Sequence, residues 1–451
     1  MNIINEYIDG KKEEMIEFLS RLVEIPSEKG AASDSAPFGE ENKKVLELFL
    51  DHAKKLGLFT ENLENYAGYV ETKKTDEPDI GLLCHLDVVP AGDGWTTPPY
   101  KADIRGGRIY GRGTTDDKGP AVAALYAIAA VQSFAKQEQD FHLTNKNIRL
   151  ILGCDEESGW GDMAYYVKHA KMPKMGFSPD ADFPVCNAEK GLIHLVLEKK
   201  NVSFGGVTVN GGERVNIIPE LCKISGVGDL SATAKEVGIE GRYENGAFCV
   251  LGKAAHGSLP HLGKNAIVDA LKLCKSLDCG EIAEESKKLL QVLGTSDGIG
   301  LGIKCEDKQS GALTASMDML TMDENGIKAA VDIRYPVTMD GEKLIESIMQ
   351  AAGDYEVTIK NHQKPLYISE DEPFIKCLLD AYTSVSGKEG KCFSMGGATF
   401  ARTLPFGVAF GPTFPDSPDA CIHTTDESIG VDELMMSAKI YAQAIINLCN
   451  I

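Results

Sequence analysis

Short apolar runs alternate with helical segments along much of this chain, and that alternation limits the folds it can adopt. Residues 80–83, 148–152 and 408–410 form three of the runs. Such an alternation is typical of an α/β domain with a mostly parallel central sheet flanked by helices. In open sheets of this kind, ligands bind in the crevice beyond the carboxyl ends of the strands. Residues that follow different runs are therefore expected to meet in one place.

Five clusters of acidic or histidine residues follow an apolar run or begin an Ala-rich one. Their candidate members are His85 and Asp87 in C-H-L-D, Asp116 in T-T-D-D-K, Glu156 and Glu157 in D-E-E-S, Asp180 in S-P-D, and His423 in I-H-T-T. Imidazoles and carboxylates are common protein ligands of divalent cations. A single cluster of this kind is usually solvated or structural, but five clusters with the same placement predict a shared metal site.

The residue types fit a pair of divalent ions about 3.5–4 Å apart, which needs one carboxylate to bridge them. Asp116 suits the bridge, because glycine-rich backbone leads to it and a helix begins directly after it. His85 and His423 suit the imidazole positions, and Asp180 and Glu157 suit the outer carboxylate positions. The five clusters therefore predict a two-metal hydrolase.

Two further acids lie beside these ligands. Asp87 follows His85 by two residues, so its carboxylate is placed to accept the second imidazole N–H and fix the tautomer. Glu156 adjoins Glu157, and adjacent side chains on an extended segment diverge. One of the pair is then free to bind metal while the other faces the attacking water, which makes Glu156 the candidate general base.

Composition excludes several classes of partner. The net charge of −21 opposes binding to nucleic acid or to an anionic membrane, since either needs a basic patch. The longest apolar run, residues 121–131, is shorter than the roughly 20 residues of a membrane span. The start of the chain lacks a signal-peptide pattern, and the 12 cysteines are scattered without a C-x-x-C pair. These features predict a cytoplasmic enzyme with free thiols.

The pattern of apolar and polar residues changes between about residue 188 and residue 365. Segments such as H-L-V-L-E and K-A-A-V-D-I-R-Y-P alternate apolar with polar residues, as half-solvated antiparallel strands do. The metal-type clusters resume only after this region. We predict a catalytic domain formed by residues 1–187 and 365–451, with an α+β lid domain, residues 188–364, inserted between them.

Long motifs within these clusters resemble a known family. They are H-L-D-V-V-P-A-G-D-G-W, G-R-G-T-T-D-D-K-G-P, D-E-E-S and S-P-D. The chain is similar to the co-catalytic metallopeptidases that include acetylornithine deacetylase, succinyl-diaminopimelate desuccinylase and glutamate carboxypeptidase. Within that family it most resembles the PepV-type dipeptidases, through F-S-P-D-A-D-F-P-V-C-N-A-E-K-G, G-K-A-A-H-G-S and D-I-R-Y-P. The resemblance runs through essentially the whole chain.

The resemblance implies two zinc ions in the catalytic domain. One would be held by His85, Asp116 and Asp180, and the other by Asp116, Glu157 and His423. Mn²⁺ or Co²⁺ could replace zinc, because carboxylates and imidazoles discriminate poorly among divalent ions. The same resemblance assigns the general base to Glu156 and a supporting position to Asp87.

The resemblance also implies substrate contacts from the inserted domain. His256 would stabilise the developing oxyanion, Asn216 would make a further polar contact, and Arg334 would hold a substrate carboxylate. A planar guanidinium suits that last task, since it binds a carboxylate through two hydrogen bonds. The alternative for Arg334 is an ion pair with Asp332, two residues away on the same face of a strand.

One motif departs from the family pattern. The glycine-rich turn that usually has the sequence G-G-G-T-Y is Gly396-Gly397-Ala398-Thr399-Phe400 here. Gly397 remains a candidate for substrate contact. The methyl group of Ala398 restricts backbone approach, and Phe400 lacks the tyrosine hydroxyl. The departure bears on substrate preference and leaves the predicted metal chemistry intact.

These patterns predict metal-dependent hydrolysis of dipeptides with broad side-chain specificity. One alternative is an amidohydrolase of the same family that removes an acyl group from an amino acid. A more remote alternative is a non-catalytic metal-binding scaffold, which would be expected to have lost a ligand or the base, and none is lost. The predicted insert is long enough to contain two lid halves of the kind that pair across dimeric relatives, so a monomer is expected.

Overall fold

A computed structural model describes residues 2–138, 145–277 and 280–451. The helices along the chain are α1 (Asn2–Gly10), α2 (Lys12–Val23), α3 (Glu40–Lys55), α4 (Lys118–Glu138), α5 (Gly161–His169), α6 (Ser231–Glu236), α7 (Ala266–Cys274), α8 (Glu281–Leu293), α9 (Gly341–Ala351), α10 (Pro373–Ser386) and α11 (Val431–Cys449). None of the helices in these ranges combines the length and the apolar character that a membrane span requires.

The strands are distributed along the whole chain. They are β1 (Phe59–Leu63), β2 (Ala67–Glu71), β3 (Ile80–His85), β4 (Asp103–Arg105), β5 (Arg108–Tyr110), β6 (Ile148–Gly153), β7 (Met175–Ser178), β8 (Ala181–Asp182), β9 (Val185–Glu189), β10 (Gly191–Lys199), β11 (Thr208–Gly211), β12 (Ile217–Ile218), β13 (Leu221–Ser225), β14 (Gly241–Glu244), β15 (Ala247–Leu251), β16 (Ala255–His256), β17 (Glu306–Asp307), β18 (Gly311–Ala312), β19 (Thr314–Asp323), β20 (Gly326–Tyr335), β21 (Glu356–Gln363), β22 (Leu366–Tyr367), β23 (Cys392–Met395), β24 (Gly407–Ala409), β25 (Pro412–Thr413) and β26 (Ser428–Gly430).

The chain forms two compact units. The first comprises Met1–Asn187, Tyr367–Phe393 and Ala398–Ile451. The second comprises Ala188–Leu366 together with the short segment Ser394–Gly397. Each unit has a sheet of its own and helices packed against it, so the predicted class, an α/β catalytic domain with an inserted α+β domain, is confirmed.

The sheet of the first unit has a parallel centre and antiparallel edges. Its strand order is β1-β2-β6-β3-β7-β24-β9-β22, and β6, β3, β7 and β24 are parallel to one another. Strands β1 and β2 run antiparallel because residues 64–66, which join them, are too few for a parallel crossover. Helices α4 and α11 pack together and against β3. The residues of β3 and β6 are buried throughout, which is consistent with their largely apolar sequences.

The second unit is built on an antiparallel sheet with the order β14-β15-β13-β11-β19-β20-β10-β21. Helix α7 packs on β11, β13, β15 and β19, and α8 packs on α7. Alternate residues of β10 and β20, such as Ile193 and Ile333, are fully buried in the core shared by these elements. The opposite face of the same strands carries His194, Asp332 and Arg334, which are polar, so this sheet presents one apolar and one polar face.

Candidate active site

The carboxyl ends of three neighbouring parallel strands carry the predicted ligands of the first unit. His85 is the last residue of β3, Glu157 follows the end of β6, and Asp180 follows the end of β7. Because β6, β3 and β7 are adjacent and parallel, their carboxyl ends meet at one edge of the sheet. Residues almost a hundred positions apart in sequence are brought together in this way.

Two turns carry the remaining predicted ligands. Asp116 lies two residues before the start of α4, and His423 lies in the loop that precedes β26. The five residues form two groups, His85 with Asp116 and Asp180, and Asp116 with Glu157 and His423. Within each group the candidate ligand atoms all lie within 4.8 Å of one another. Asp116 belongs to both groups, which is the property a bridging carboxylate must have.

The two carboxylate oxygens of Asp116 face different imidazoles. Its Oδ1 lies 3.0 Å from His85 Nε2, and its Oδ2 lies 2.8 Å from His423 Nε2. The same His423 nitrogen lies 2.9 Å from Glu157 Oε1. One nitrogen from each histidine therefore points at the carboxylates, as a metal-binding imidazole would.

Burial and mutual repulsion perturb the acids of this site. Burial and then the Asp116 charge raise the pKa of Glu157 to about 7, and the same two causes raise the pKa of Asp180 well above its usual value. Burial alone would raise the pKa of Asp116, but hydrogen bonds from His423 and His85 lower it overall. Burial would lower the pKa of His423, but Asp116 and Glu157 raise it to about 11.

The charges of the predicted ligand set can be matched with those of two divalent cations. Asp116, Glu157 and Asp180 would carry three negative charges when ionised, and two neutral imidazoles offset none of them. Two divalent cations would supply the missing positive charge and would favour ionised carboxylates and neutral imidazoles. The donor set, which is nitrogen and carboxylate oxygen only, suits zinc and also Mn²⁺ or Co²⁺.

Glu156 adjoins Glu157, a predicted ligand, without being part of either group. Burial, followed by the charge of Asp180, raises its pKa well above the usual glutamate value. Its backbone N–H donates to Asp87 Oδ1 at 3.2 Å, and the N–H of Glu157 donates to Asp87 Oδ2 at 3.1 Å. The carboxylate of Asp87 therefore holds the backbone of both glutamates.

Asp87 also contacts His85, in a different manner from the one predicted. The nearest acceptor to His85 Nδ1 is the backbone carbonyl of Asp87 at 3.0 Å, and the Asp87 carboxylate lies farther away at 3.4 Å. The backbone carbonyl of Asp87 is the nearest acceptor because Asp87 follows His85 by only two residues. Asp87 thus orients the imidazole with its main chain and the glutamate segment with its side chain.

Two buried acids that the sequence did not single out support the same loops. Glu427 accepts hydrogen bonds from the turn that carries Asp116. Asp162 accepts the backbone N–H groups of Cys154 and Asp155, at the start of the glutamate segment. Nothing in the spacing of either acid marks it as buried. Glu427 does lie four residues after His423, and this proximity to a predicted ligand was the available signal.

Phe400, which departs from the family pattern, is a packing residue of the first unit. Its ring is 1% exposed and lies edge-on to Trp160 and, at a centroid distance of 6.3 Å, to His85. A side chain on Gly153 would clash with it, since a Cβ there would be 2.5 Å from the ring. The ring therefore fills the space beneath the end of β6.

The predicted substrate-binding residues of the inserted domain cluster within the second unit. His256 Nδ1 lies 2.7 Å from Ser258 Oγ, and the next residue, Gly257, donates its N–H to the carbonyl of Asn216 at 2.7 Å. Gly396 packs on Ser258 closely enough that a Cβ would be 2.5 Å from the serine side chain. Gly397 follows in the same short segment.

Arg334 forms an ion pair with Asp332, which is the alternative that the sequence offers for this residue. Its Nε and Nη2 donate to the two oxygens of Asp332 at 2.7 and 2.9 Å, and its Nη1 donates to the carbonyl of Gly396 at 2.7 Å. A guanidinium has five N–H donors, so one on each terminal nitrogen is not used by these contacts. Asp332 and Gly396 thus hold Arg334 beside the segment that bears Gly397.

Comparison with known proteins identifies the family. The family model described as peptidase family M20/M25/M40 matches residues 81–447. The chain belongs to this peptidase family. The protein is therefore a peptidase, and the predicted resemblance to PepV-type dipeptidases is confirmed. The divalent-cation dependence that the family implies agrees with the two ligand groups of the first unit.

Individual relatives of family M20/M25/M40 span nearly the whole chain. The putative dipeptidase YtjP of Bacillus subtilis (strain 168) is 39% identical over 469 residues, which cover 97% of this chain and 98% of the relative. The Beta-Ala-Xaa dipeptidase of Lactobacillus delbrueckii subsp. lactis is 33% identical, with coverages of 98% and 97%. The fold is similar to that of human carnosine dipeptidase 1, with a TM-score of 0.59 and 14% identity over 100% of both chains.

Proposed function

We propose that this protein hydrolyses dipeptides with the help of two divalent cations, which are held by the five predicted ligands of the first unit. Zinc is the metal we expect. The observation that carries the proposal is the position of Asp116, whose two oxygens face His85 and His423 in two separate ligand groups. The dipeptide substrate is inferred from the two relatives, whose names describe dipeptidases and whose sequences match this chain over nearly its full length.

Divalent ions in such a pair polarise a carbonyl group and lower the pKa of bound water. Glu156 is the proposed general base. It lies beside Glu157, is held through its backbone by Asp87, and is free of the two ligand groups. A raised pKa suits a carboxylate that takes a proton from water and later delivers it to the leaving amine.

The second unit is proposed to recognise the rest of the substrate. We assign the developing oxyanion to His256 and the substrate C-terminal carboxylate to Arg334, with Asn216 and Gly397 as further contacts. Support for Arg334 comes from its donors, because one N–H on each of Nη1 and Nη2 is not used by Asp332 or Gly396 and can donate to a substrate carboxylate. A fixed carboxylate site would favour substrates of two residues over longer peptides.

The same proposal includes a monomeric, cytoplasmic enzyme. Support comes from the length of the second unit, whose main segment, Ala188–Leu366, is long enough to contain two lid halves in a single chain. Light scattering of the full-length protein tests this expectation, and an obligate dimer would contradict it. The cytoplasmic location rests on the scattered cysteines of the sequence.

Substrate choice is tested by assaying alanyl-alanine beside its N-acetyl analogue, with the protein loaded with Zn²⁺ and, in parallel, with Mn²⁺. A dipeptidase must accept a free amino terminus, so we expect the unmodified dipeptide to be hydrolysed faster. Faster cleavage of the acylated compound would instead support an N-acyl-amino-acid amidohydrolase. Failure of both compounds to react with either metal would contradict peptide hydrolysis by this site.

A further inference from the structure

Glu427 is a buried acid whose four hydrogen-bond donors all belong to the turn that leads to Asp116. Its Oε1 accepts the backbone N–H groups of Thr115 at 2.9 Å and Asp116 at 3.1 Å. Its Oε2 accepts the N–H of Gly113 at 3.0 Å and Arg112 Nη1 at 2.8 Å. The residue is buried, so water hardly competes for these oxygens.

The main chain around Glu427 is attached to the same turn. The Gly111 N–H donates to the carbonyl of Glu427 at 2.9 Å, and Thr115 Oγ1 donates to the carbonyl of Ser428 at 3.0 Å. Strand β26, which begins at Ser428, pairs antiparallel with β5, which ends at Tyr110. The contact therefore continues from the sheet pairing directly into the Asp116 turn.

This arrangement links two ligands that are distant in sequence. His423 lies four residues before Glu427, and its Nε2 is 2.8 Å from Asp116 Oδ2. The backbone at His423 has a φ of 61°, a conformation that non-glycine residues seldom adopt unless their surroundings hold it. Fixing Glu427 on the Asp116 turn fixes the end of the loop that carries His423.

The charge of Glu427 is balanced locally. Arg112 forms an ion pair with it in which both side chains are 1% exposed, so the pair adds no net charge beside the ligands. A carboxylate in this position accepts four hydrogen bonds, which a neutral amide of the same shape cannot do, since its NH₂ group would face donors. Both the shape and the ionised state of Glu427 are therefore needed.

We propose that Glu427 is a positioning residue for the metal centre. It holds the bridging Asp116 and the loop that carries His423 in a fixed position relative to each other. The inference rests on the proposed two-cation function and concerns a side chain that touches neither substrate nor cation. Because Asp116 serves both ligand groups, loss of Glu427 should weaken both cation sites together. Changes to residues that support metal ligands typically lower metal affinity by about 10–100-fold.

The test uses the full-length protein with Glu427→Gln, and Glu71→Gln as its matched control. Glu71 forms a buried ion pair of the same kind with Arg149, Nη2 to Oε2 at 2.7 Å, elsewhere in the first unit and away from the predicted ligands. Zn²⁺ affinity is measured by chelator competition, and the coordination geometry is followed by the visible absorption of the Co²⁺ protein. Unfolding temperatures of the metal-free proteins report how much each change destabilises the fold.

We expect Glu427→Gln to lower the affinity of both cation sites by about 10–100-fold and to alter the Co²⁺ spectrum. Glu71→Gln should keep the affinity and spectrum of the unmodified protein while losing comparable stability. Unchanged affinity and spectrum in Glu427→Gln, or an equal loss of affinity in Glu71→Gln, would overturn the inference.

A second variant covers the case in which Glu427→Gln does not fold. Glu427→Asp keeps the charge opposite Arg112 but is one methylene too short to reach all four donors, so it should show a loss of affinity in the same direction. Wild-type affinity in that variant would equally overturn the inference. If the unmodified protein itself fails to bind two cations, the proposed function fails; if it binds two and the Glu427 variants bind as well, only this inference fails.

Discussion

The segment that carries Glu156 and Glu157 depends on a buried acid whose ionisation can be measured. Asp162, in the first turn of α5, accepts the N–H groups of Cys154 at 2.7 Å and Asp155 at 2.8 Å through Oδ2. Its side chain is fully buried. Burial, followed by the charge of Asp87, raises the pKa of Asp162 to about 7, although these backbone hydrogen bonds act in the opposite direction.

The expected effect of Asp162 on stability follows from that shift. A folded pKa above the unfolded value means that the contribution of Asp162 is fully present below about pH 4 and is lost as pH rises through about 7. Each pKa unit corresponds to about 1.36 kcal/mol, so the shift from 3.8 to about 7 amounts to about 4 kcal/mol in total. Between pH 5 and pH 7 the titration of Asp162 should therefore lower the free energy of unfolding by about 2–3 kcal/mol.

The substitution Asp162→Asn removes this titration and keeps a carbonyl oxygen for the two amides. Its NH₂ group would face the Met163 N–H, which now donates to Oδ1, and that cost does not vary with pH. We expect its free energy of unfolding to rise relative to that of the unmodified protein between pH 5 and pH 7, and the difference to level off near pH 8. Urea unfolding in the presence of chelator measures both proteins. The two tryptophans, Trp95 and Trp160, lie in the first unit, so their fluorescence follows that unit.

Comparison of the two proteins at each pH cancels the titration of all other groups. Parallel stability curves would show that Asp162 has no raised pKa. A difference of the opposite sign, with the unmodified protein gaining stability as pH rises, would show that hydrogen bonds from the backbone outweigh burial. Either result would show that burial does not control the ionisation of Asp162.

Three further predictions concern the metal centre and the substrate. Glu156→Gln should lower turnover by about 10²–10⁴-fold while both cations stay bound, and near wild-type turnover would exclude Glu156 as the base. Asp116→Asn should lose both cations whereas Asp180→Asn should lose only one, as measured by metal analysis after dialysis; equal losses would contradict a shared ligand. Arg334→Ala should lower kcat/KM for dipeptides by roughly ten- to a hundredfold, since a hydrogen bond to a charged group contributes about 1.5–3 kcal/mol. The same change should weaken the preference for peptides of two residues over peptides of three. An unchanged length preference would remove Arg334 from substrate recognition.

The strands that carry the predicted ligands could be predicted from sequence, because a strand that is buried on both faces consists mainly of apolar residues. His85 and Glu157 follow such runs, and parallel neighbours necessarily bring their carboxyl ends together. The antiparallel edges of the same sheet were less visible. Strand β1 is largely exposed, so its residues do not form a comparable apolar run.

The supporting residues could not be predicted, because their roles depend on which backbone atoms lie nearby. Glu427 and Asp162 are acids in ordinary polar surroundings along the sequence, and only the folded chain buries them against N–H groups. The same reason explains Asp87, whose carbonyl takes the place at His85 that the sequence suggested for its carboxylate. The inclusion of Ser394–Gly397 in the second unit also depends on spatial contacts, among them the hydrogen bond from Arg334 to Gly396.

Dipeptide hydrolysis by this protein is expected to require two divalent cations, held in groups that share Asp116. The most direct measurement titrates chelator-stripped, full-length protein with Zn²⁺ and follows alanyl-alanine hydrolysis at each step. We expect no hydrolysis without metal and full activity only when two equivalents per chain are bound. Hydrolysis that survives complete removal of metal, or activity that reaches its maximum at one equivalent, would contradict it.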